Sequence, residues 1–186
     1  MVAQVKDTGR RGFPWRLIGW GFAGFILLLP AVAMQFSSEV NWDGFDFLFA
    51  AVLIGLVGLG LELAARSGSR AYRAGAAIAI GISFLLVWLN GAVGIIGSEA
   101  EDANMLFLGV IAVALCGAIL AWFRPAGMAR AMTAAAVAQV AVPLIASTMT
   151  LQTTGSVWAP EVIGLTTVFT LGWLLAAGLF RQASKA

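Results

Sequence analysis

Histidine is absent from these 186 residues, and there is one cysteine. The missing histidine excludes His-ligated haem, the usual zinc sites and every Ser–His or Cys–His nucleophile pair. A lone cysteine makes no internal disulfide and holds no iron–sulfur cluster. Cys116 lies in an apolar run and reads as a small buried hydrophobe. Charge is scarce as well: 11% of residues are Asp, Glu, Lys or Arg, against about 25% in a soluble domain. Long polar segments are missing, so no soluble domain or disordered tail is expected. The net charge of +2 is too small to suggest a nucleic-acid partner.

What the chain has is apolar surface. Hydrophobic residues make up 61%, and the mean hydropathy is +0.94. A spanning helix needs about 20 mostly apolar residues. Six segments qualify: 17–35, 45–65, 74–96, 105–122, 131–150 and 162–180. No alternation of apolar and polar residues suggests a barrel. The expected fold is therefore all-α, a single polytopic six-helix transmembrane bundle over residues 1–186.

All 11 basic residues fall on one side of this arrangement. They are Lys6, Arg10, Arg11, Arg16, Arg66, Arg70, Arg73, Arg124, Arg130, Arg181 and Lys185. The other side carries Glu39, Asp43, Glu99, Glu101, Asp102 and Glu161. By the positive-inside rule both termini are cytoplasmic. Trp15, Trp20 and Trp122 fall near the inner interface, and Trp42 and Trp158 near the outer one, as an aromatic belt requires. A rival reading concerns the first span. Arg10-Arg11-Gly12-Phe13 is similar to part of a twin-arginine signal, with Ala31-Val32-Ala33 as a cleavage site. The apolar run is long for a signal peptide, so an uncleaved helix is expected.

Arg16, Arg73 and Arg130 open the outward helices at intervals of 57. Arg66, Arg124 and Arg181 close the return helices, 58 and 57 apart. Asp46, Asn104 and Glu161 each stand 20 residues before one of those arginines. This spacing predicts three hairpins in one orientation. Evenly sized hairpins with basic inner loops would also produce it without duplication.

Polar residues within the spans are the candidate ligand or pore positions: Asp46, Glu62, Asn90, Ser98, Asn104 and Ser147. Each also has a plain structural reading. Asp43-Gly44-Phe45-Asp46 fits a helix cap. Asp102 and Pro160-Glu161 fit helix starts. Glu62 shares a helix face with Arg66. Asn90 and Ser147 each follow an arginine by 17 residues, about 25 Å up a helix. Asp46 and Asn104 stand about 30 Å above theirs by the same measure. These groups would meet near the outer mouth. Gln139 stands lower, about 13 Å up, as an interhelical hydrogen-bonding residue. Asp46 and Glu62, 16 residues apart on one helix, are about 24 Å from each other. They make no carboxylate pair, and no catalytic, metal or cofactor-binding constellation is found. Pro30 and Pro143 are expected to kink spans one and five.

The run Asn90-Gly91-Ala92-Val93-Gly94-Ile95-Ile96-Gly97-Ser98-Glu99 places a glycine at every third position. On a helix, Gly91, Gly94 and Gly97 would open a groove for close packing. The alternative is an outer binding site closed by Ser98 and Glu99. The spacing fits neither a dinucleotide nor a P-loop motif. Gly55, Gly58 and Gly60 offer a second close-packing face.

This run resembles, together with Asn41–Asp46, Leu63–Arg66 and Arg70–Arg73, a group of small uncharacterised bacterial inner-membrane proteins. The resemblance covers the central half of the chain and implies an inner-membrane setting, but no activity or site. The function expected first is a non-enzymatic bundle that packs with a second copy or within a larger membrane complex. Next comes a small permease or channel, with a polar outer vestibule and Glu62 as an inner carboxylate. A membrane enzyme is the least supported. No cofactor is expected, and the partners are the lipid bilayer and another membrane-embedded chain.

Overall fold

The computed structural model describes residues 15–38, 40–98, 101–148 and 156–186. Among them are six α-helices and no strand: α1 Trp15–Ala33, α2 Gly44–Ala65, α3 Arg70–Ala92, α4 Met105–Leu120, α5 Pro125–Thr148 and α6 Pro160–Ala183. A single 3-10 turn, Asp102–Asn104, leads into α4. All six helices are long and apolar enough to cross a membrane, as in a multi-pass membrane protein. Arg10–Phe13, the twin-arginine candidate, lies outside the described residues.

The contacts divide the chain into two units, Met1–Gly58 and Leu59–Ala186. In the first, α2 begins at a reciprocal cap. Asp43 Oδ1 accepts from the N–H groups of Phe45 at 2.7 Å and Asp46 at 3.0 Å. Asp46 Oδ2 accepts from the N–H of Asp43 at 2.9 Å. These bonds satisfy helix-start donors and place two acids at the positive end of the dipole. Trp20 of α1 lies against Gly58 of α2, where an added Cβ would come within 2.8 Å of the indole ring. Otherwise α1 is bare: none of its span is buried.

The second unit holds α3 to α6. Here α5 packs against both α4 and α6, and α6 packs against α3. The pairs run antiparallel. Gly75 meets Leu179 and Ala176, while Gly172, lower in number, meets Ile82. Gly117 of α4 meets Ala131 of α5, where an added Cβ would stand 2.7 Å from the alanine methyl. Gly127 of α5 meets Ala121, and Gly60 of α2 meets Ile80, so the close-packing glycines of this unit are spread over α2 to α6. Trp173, Phe107, Phe180 and Leu86 are the largest fully buried side chains.

At one end of this unit the Tyr72 hydroxyl donates to the carbonyl of Phe123 at 2.9 Å. The Tyr72 ring stands edge-on to Phe180 at 5.0 Å. That contact gathers the start of α3 and the ends of α4 and α6. Arg70, Arg73, Arg124, Arg181 and Lys185 come with them, as their positions in the chain dictate. The opposite end holds Glu101, Asp102 and Glu161. The segregation of charge read from the sequence is thus present in the geometry of α3–α6.

Several boundaries differ from expectation for local reasons. Helix α3 starts at Arg70, ahead of the apolar run, because the Ser69 hydroxyl accepts from the N–H of Tyr72 at 3.2 Å. It ends at Ala92, four residues before the expected Ile96. Gly94 has φ 72°, a left-handed conformation that stops a helix. Prolines at the first positions of α5 and α6 begin those helices. After α4, Trp122 and Phe123 are left-handed at φ 48° and 55°, which is unfavourable for bulky residues. The chain turns there into Pro125. No side chain caps α4, so Asp102 does not act as the expected cap. Cys116 is exposed on α4, not buried as its apolar surroundings suggested.

Candidate functional site

Two groups of polar residues lie inside the second unit, and they differ in how their hydrogen bonds are met. The first is at the acidic end. Beyond α3 the chain folds back, and Ile95 and Ile96 enter the core at 3% and 0% exposure. Their peptide groups go with them and need partners in place of water. Asn104, itself buried, supplies them. Its Oδ1 accepts from the N–H groups of Ile95 at 3.0 Å and Ile96 at 2.9 Å. Its Nδ2 donates to the carbonyls of Ile96 at 3.2 Å and Ser98 at 2.6 Å. Two acceptor sites and two donors complete the capacity of a primary amide. Asn90 Nδ2 then donates to the carbonyl of Asn104 at 2.9 Å, which ties the end of α3 to the start of α4.

This clasp assigns several sequence candidates. Asn90, Ser98 and Asn104 do come together, but with Asn104 committed to holding a loop. Gly94 and Gly97 are not on a helix, so the expected helical groove along Gly91, Gly94 and Gly97 is not formed. Both have positive φ, 72° and 68°, a conformation glycine adopts without strain. Gly91 is on α3, yet a Cβ there would meet nothing within 4 Å. Ser147 is exposed, and its hydroxyl donates to the carbonyl of Leu144 at 2.7 Å. Asp46 belongs to the first unit, in the cap of α2. Glu62 is half-buried in the last turn of α2.

The second group is carried by α5 and α6. Gln139 is fully buried, and neither atom of its amide has a hydrogen-bond partner. The hydroxyls of Thr166 and Thr170 and the indole N–H of Trp173 are also buried without partners. Other hydroxyls in α5 and α6 behave differently. Thr133 donates to Ala129 at 2.9 Å and Thr167 to Ile163 at 2.8 Å, each satisfied by its own helix. Thr166 and Thr170 make no such bond.

The antiparallel register brings this group together in depth. A groove of about 280 Å³ runs between Val140, Pro143 and Leu144 of α5 and residues from Val162 to Leu171 of α6. Further toward the basic end, Arg130 to Val137 face Leu174 to Arg181 across a second groove. Gln139 therefore stands at a level between Thr170 and Trp173. Pro143 adds to the polar content. Having no N–H, it cannot give the helical hydrogen bond to the carbonyl of Gln139, four residues earlier. Residues 131–148 and 162–180 contain no Asp, Glu, Lys or Arg, so the polarity here is entirely neutral.

Gln139 was recognisable in the sequence as a mid-span amide, but as a residue with a partner on another helix. Trp173 was not singled out. Its signal was its depth: eight residues before Arg181, about 12 Å along the helix, it falls inside the belt where interfacial tryptophans sit. No family model matches the chain, and no curated protein or solved structure matches it significantly.

Proposed function

We propose that the chain is a multi-pass protein of a bacterial inner membrane, with both termini in the cytoplasm, which acts by assembly and without covalent chemistry. It packs with a second copy of itself or into a larger membrane complex. The observation that carries this reading is the contrast in burial between helices. In α5, 44% of the spanning window is buried within the chain, and in α1 none is. Lipid alone can cover such a helix. Yet α1 also presents Gly19, Gly21 and Gly24, where a Cβ would meet nothing within 4 Å. Small residues of this kind let helices approach closely and contribute nothing to lipid contact. Two of the three expected outward–return hairpins fit the basic and acidic ends of α3–α6, and the positive-inside rule assigns the basic end to the cytoplasm.

The test is the copy number of the full chain in lipid nanodiscs, read by single-molecule photobleaching, with co-purifying membrane proteins identified in parallel. Two or more copies, or a stoichiometric partner, are expected, and Gly21→Leu with Gly24→Leu should reduce that association. A monomer without partners at every protein density sinks the proposal.

A small permease is the second reading. Its outer vestibule of Asp46, Asn90, Asn104 and Ser147 loses support from the commitments of Asn104 and Ser147. What favours handling of a solute is the set of buried, unpaired polar atoms on α5 and α6.

A further inference from the structure

We propose that the groove at the basic end of α5 and α6 seats one anionic phospholipid, with its phosphate between Arg130 and Arg181 and an acyl chain along Ala134, Val137 and Leu174. This goes beyond the assembly reading. It needs only that the helices span a membrane; which leaflet supplies the lipid follows from the orientation proposed above.

The groove carries charge and small side chains on the same walls. Arg130, Ala134 and Val137 share one face of α5, and Leu174, Gly178 and Arg181 share one face of α6, at spacings of three and four residues. The antiparallel pairing brings the two arginines to the same end, with the apolar residues beyond them. Small residues keep the groove open: a Cβ on Gly178 would meet nothing within 4 Å. Its volume is about 750 Å³, within the range of about 300–1,000 Å³ for small-molecule sites.

The charge at this end is unbalanced. No acid lines the groove. Glu161 is the one acid in residues 122–186, and it lies in the first turn of α6, at the opposite end. Among the described residues neither guanidinium has an ion-pair partner. Arg130 Nε makes a long bond of 3.4 Å to the carbonyl of Ala126 in its own helix. The hydroxyls of Thr133 and Ser184 also line the groove, but they donate to the carbonyls of Ala129 and Arg181. The donors left for a ligand are therefore the two guanidiniums, whose planar forks match phosphate oxygens. Basic pockets between spanning helices suit anionic lipid heads for this reason.

The same features separate the possible occupants. A soluble anion would meet the arginines and leave the apolar walls at Val137 and Leu174 bare. A second copy in the same orientation would bring Arg66, Arg70, Arg73 and Arg124 to this end, against one acid, Glu62, among the described residues there. A zwitterionic lipid brings an ammonium, for which the walls hold no carboxylate. An anionic phospholipid supplies a phosphate for the pair and a chain for the walls.

The experiment uses the full chain in nanodiscs of equal parts phosphatidylcholine and phosphatidylglycerol. Native mass spectrometry after release counts the lipids retained. One phosphatidylglycerol per chain is expected in preference to phosphatidylcholine. Arg130→Gln and Arg181→Gln should each weaken retention by about five- to tenfold, the worth of one phosphate contact at a membrane surface. Gly178→Leu keeps every charge and fills the open space, so it should also release the lipid. Arg73→Gln removes the same charge at the same end, on α3 and outside the groove, and should leave retention unchanged. Equal retention of the two lipids would overturn the proposal, as would retention that persists in both groove arginine variants. An equal loss in Arg73→Gln would show diffuse attraction in place of a seat, and displacement by added glycerol phosphate would show a site for a soluble anion; either result overturns it. Both lipids occupy both leaflets of the disc, so a reversed orientation would not alter the outcome. Copy number in the same spectra reports separately on assembly.

Discussion

The clasp around Asn104 and the interior around Gln139 are built from the same material, a primary amide buried among apolar helices. They reach opposite ends. Asn104 sits where a loop brings four backbone groups within reach, and it satisfies them all. Gln139 sits in the middle of α5, away from any such loop, and neither atom of its amide finds a partner. Burial alone therefore does not assign a role to a polar residue. What decides is whether unpaired backbone lies nearby. Where it does, as for Asn104, the amide is fully satisfied; where it does not, as for Gln139, the amide stays unpaired, and so does the Oδ1 of Asn90 beside the clasp.

The largest effect is expected at the clasp. Asn104→Leu removes four hydrogen bonds and strands the N–H groups of Ile95 and Ile96. Each net bond is worth about 1 kcal/mol, with more lost when a buried group is orphaned. A destabilisation of about 3–4 kcal/mol is expected, read by unfolding in mixed micelles, together with faster amide exchange at Ile95 and Ile96. A loss below about 1 kcal/mol would mean that water replaces the side chain, and the contrast between the two regions would collapse.

Gln139→Leu should move stability the other way. It removes an amide that has no partner inside the protein and replaces it with a side chain of similar size. A gain of about 1–2 kcal/mol is expected for delipidated protein in detergent, from the cost of burying an unpaired polar group. A loss of similar size would show that Gln139 is satisfied within the chain, and both regions would then be structural.

Much of the helical layout was legible in the sequence because it rests on apolar length. The cap of α2 was legible as well, because Asp43 and Asp46 stand at capping spacing, and so was the depth of Gln139. The fold-back of Ile95 and Ile96 was not. Two isoleucines after a glycine continue an apolar pattern equally well as helix or as captured loop, and the residue that distinguishes them, Asn104, is eight or nine positions away. The unpaired state of Gln139 was hidden for a similar reason. Composition gives an amide its depth, but only the register of α5 against α6 shows that no partner stands opposite.

The smallest expected effects concern two glycines three residues apart, and they separate helix from turn inside one motif. Gly94 has φ 72°, where an L side chain costs about 1–2 kcal/mol. Gly94→Ala should lower stability by that amount and loosen the loop that Asn104 clasps. Gly91 lies in the last turn of α3 with open space around its missing Cβ. Alanine there meets no neighbour and limits the freedom of the unfolded backbone, so Gly91→Ala should be neutral or gain up to about 1 kcal/mol. If the glycine row were a helix-packing groove, as its spacing suggests, the order would reverse. Gly91→Ala would then be harmful, through loss of close contact with a neighbouring helix. A thermal-unfolding comparison of the two variants in the same detergent decides between them. A marked loss in Gly91→Ala would also point to a partner helix resting on that part of α3, outside this chain.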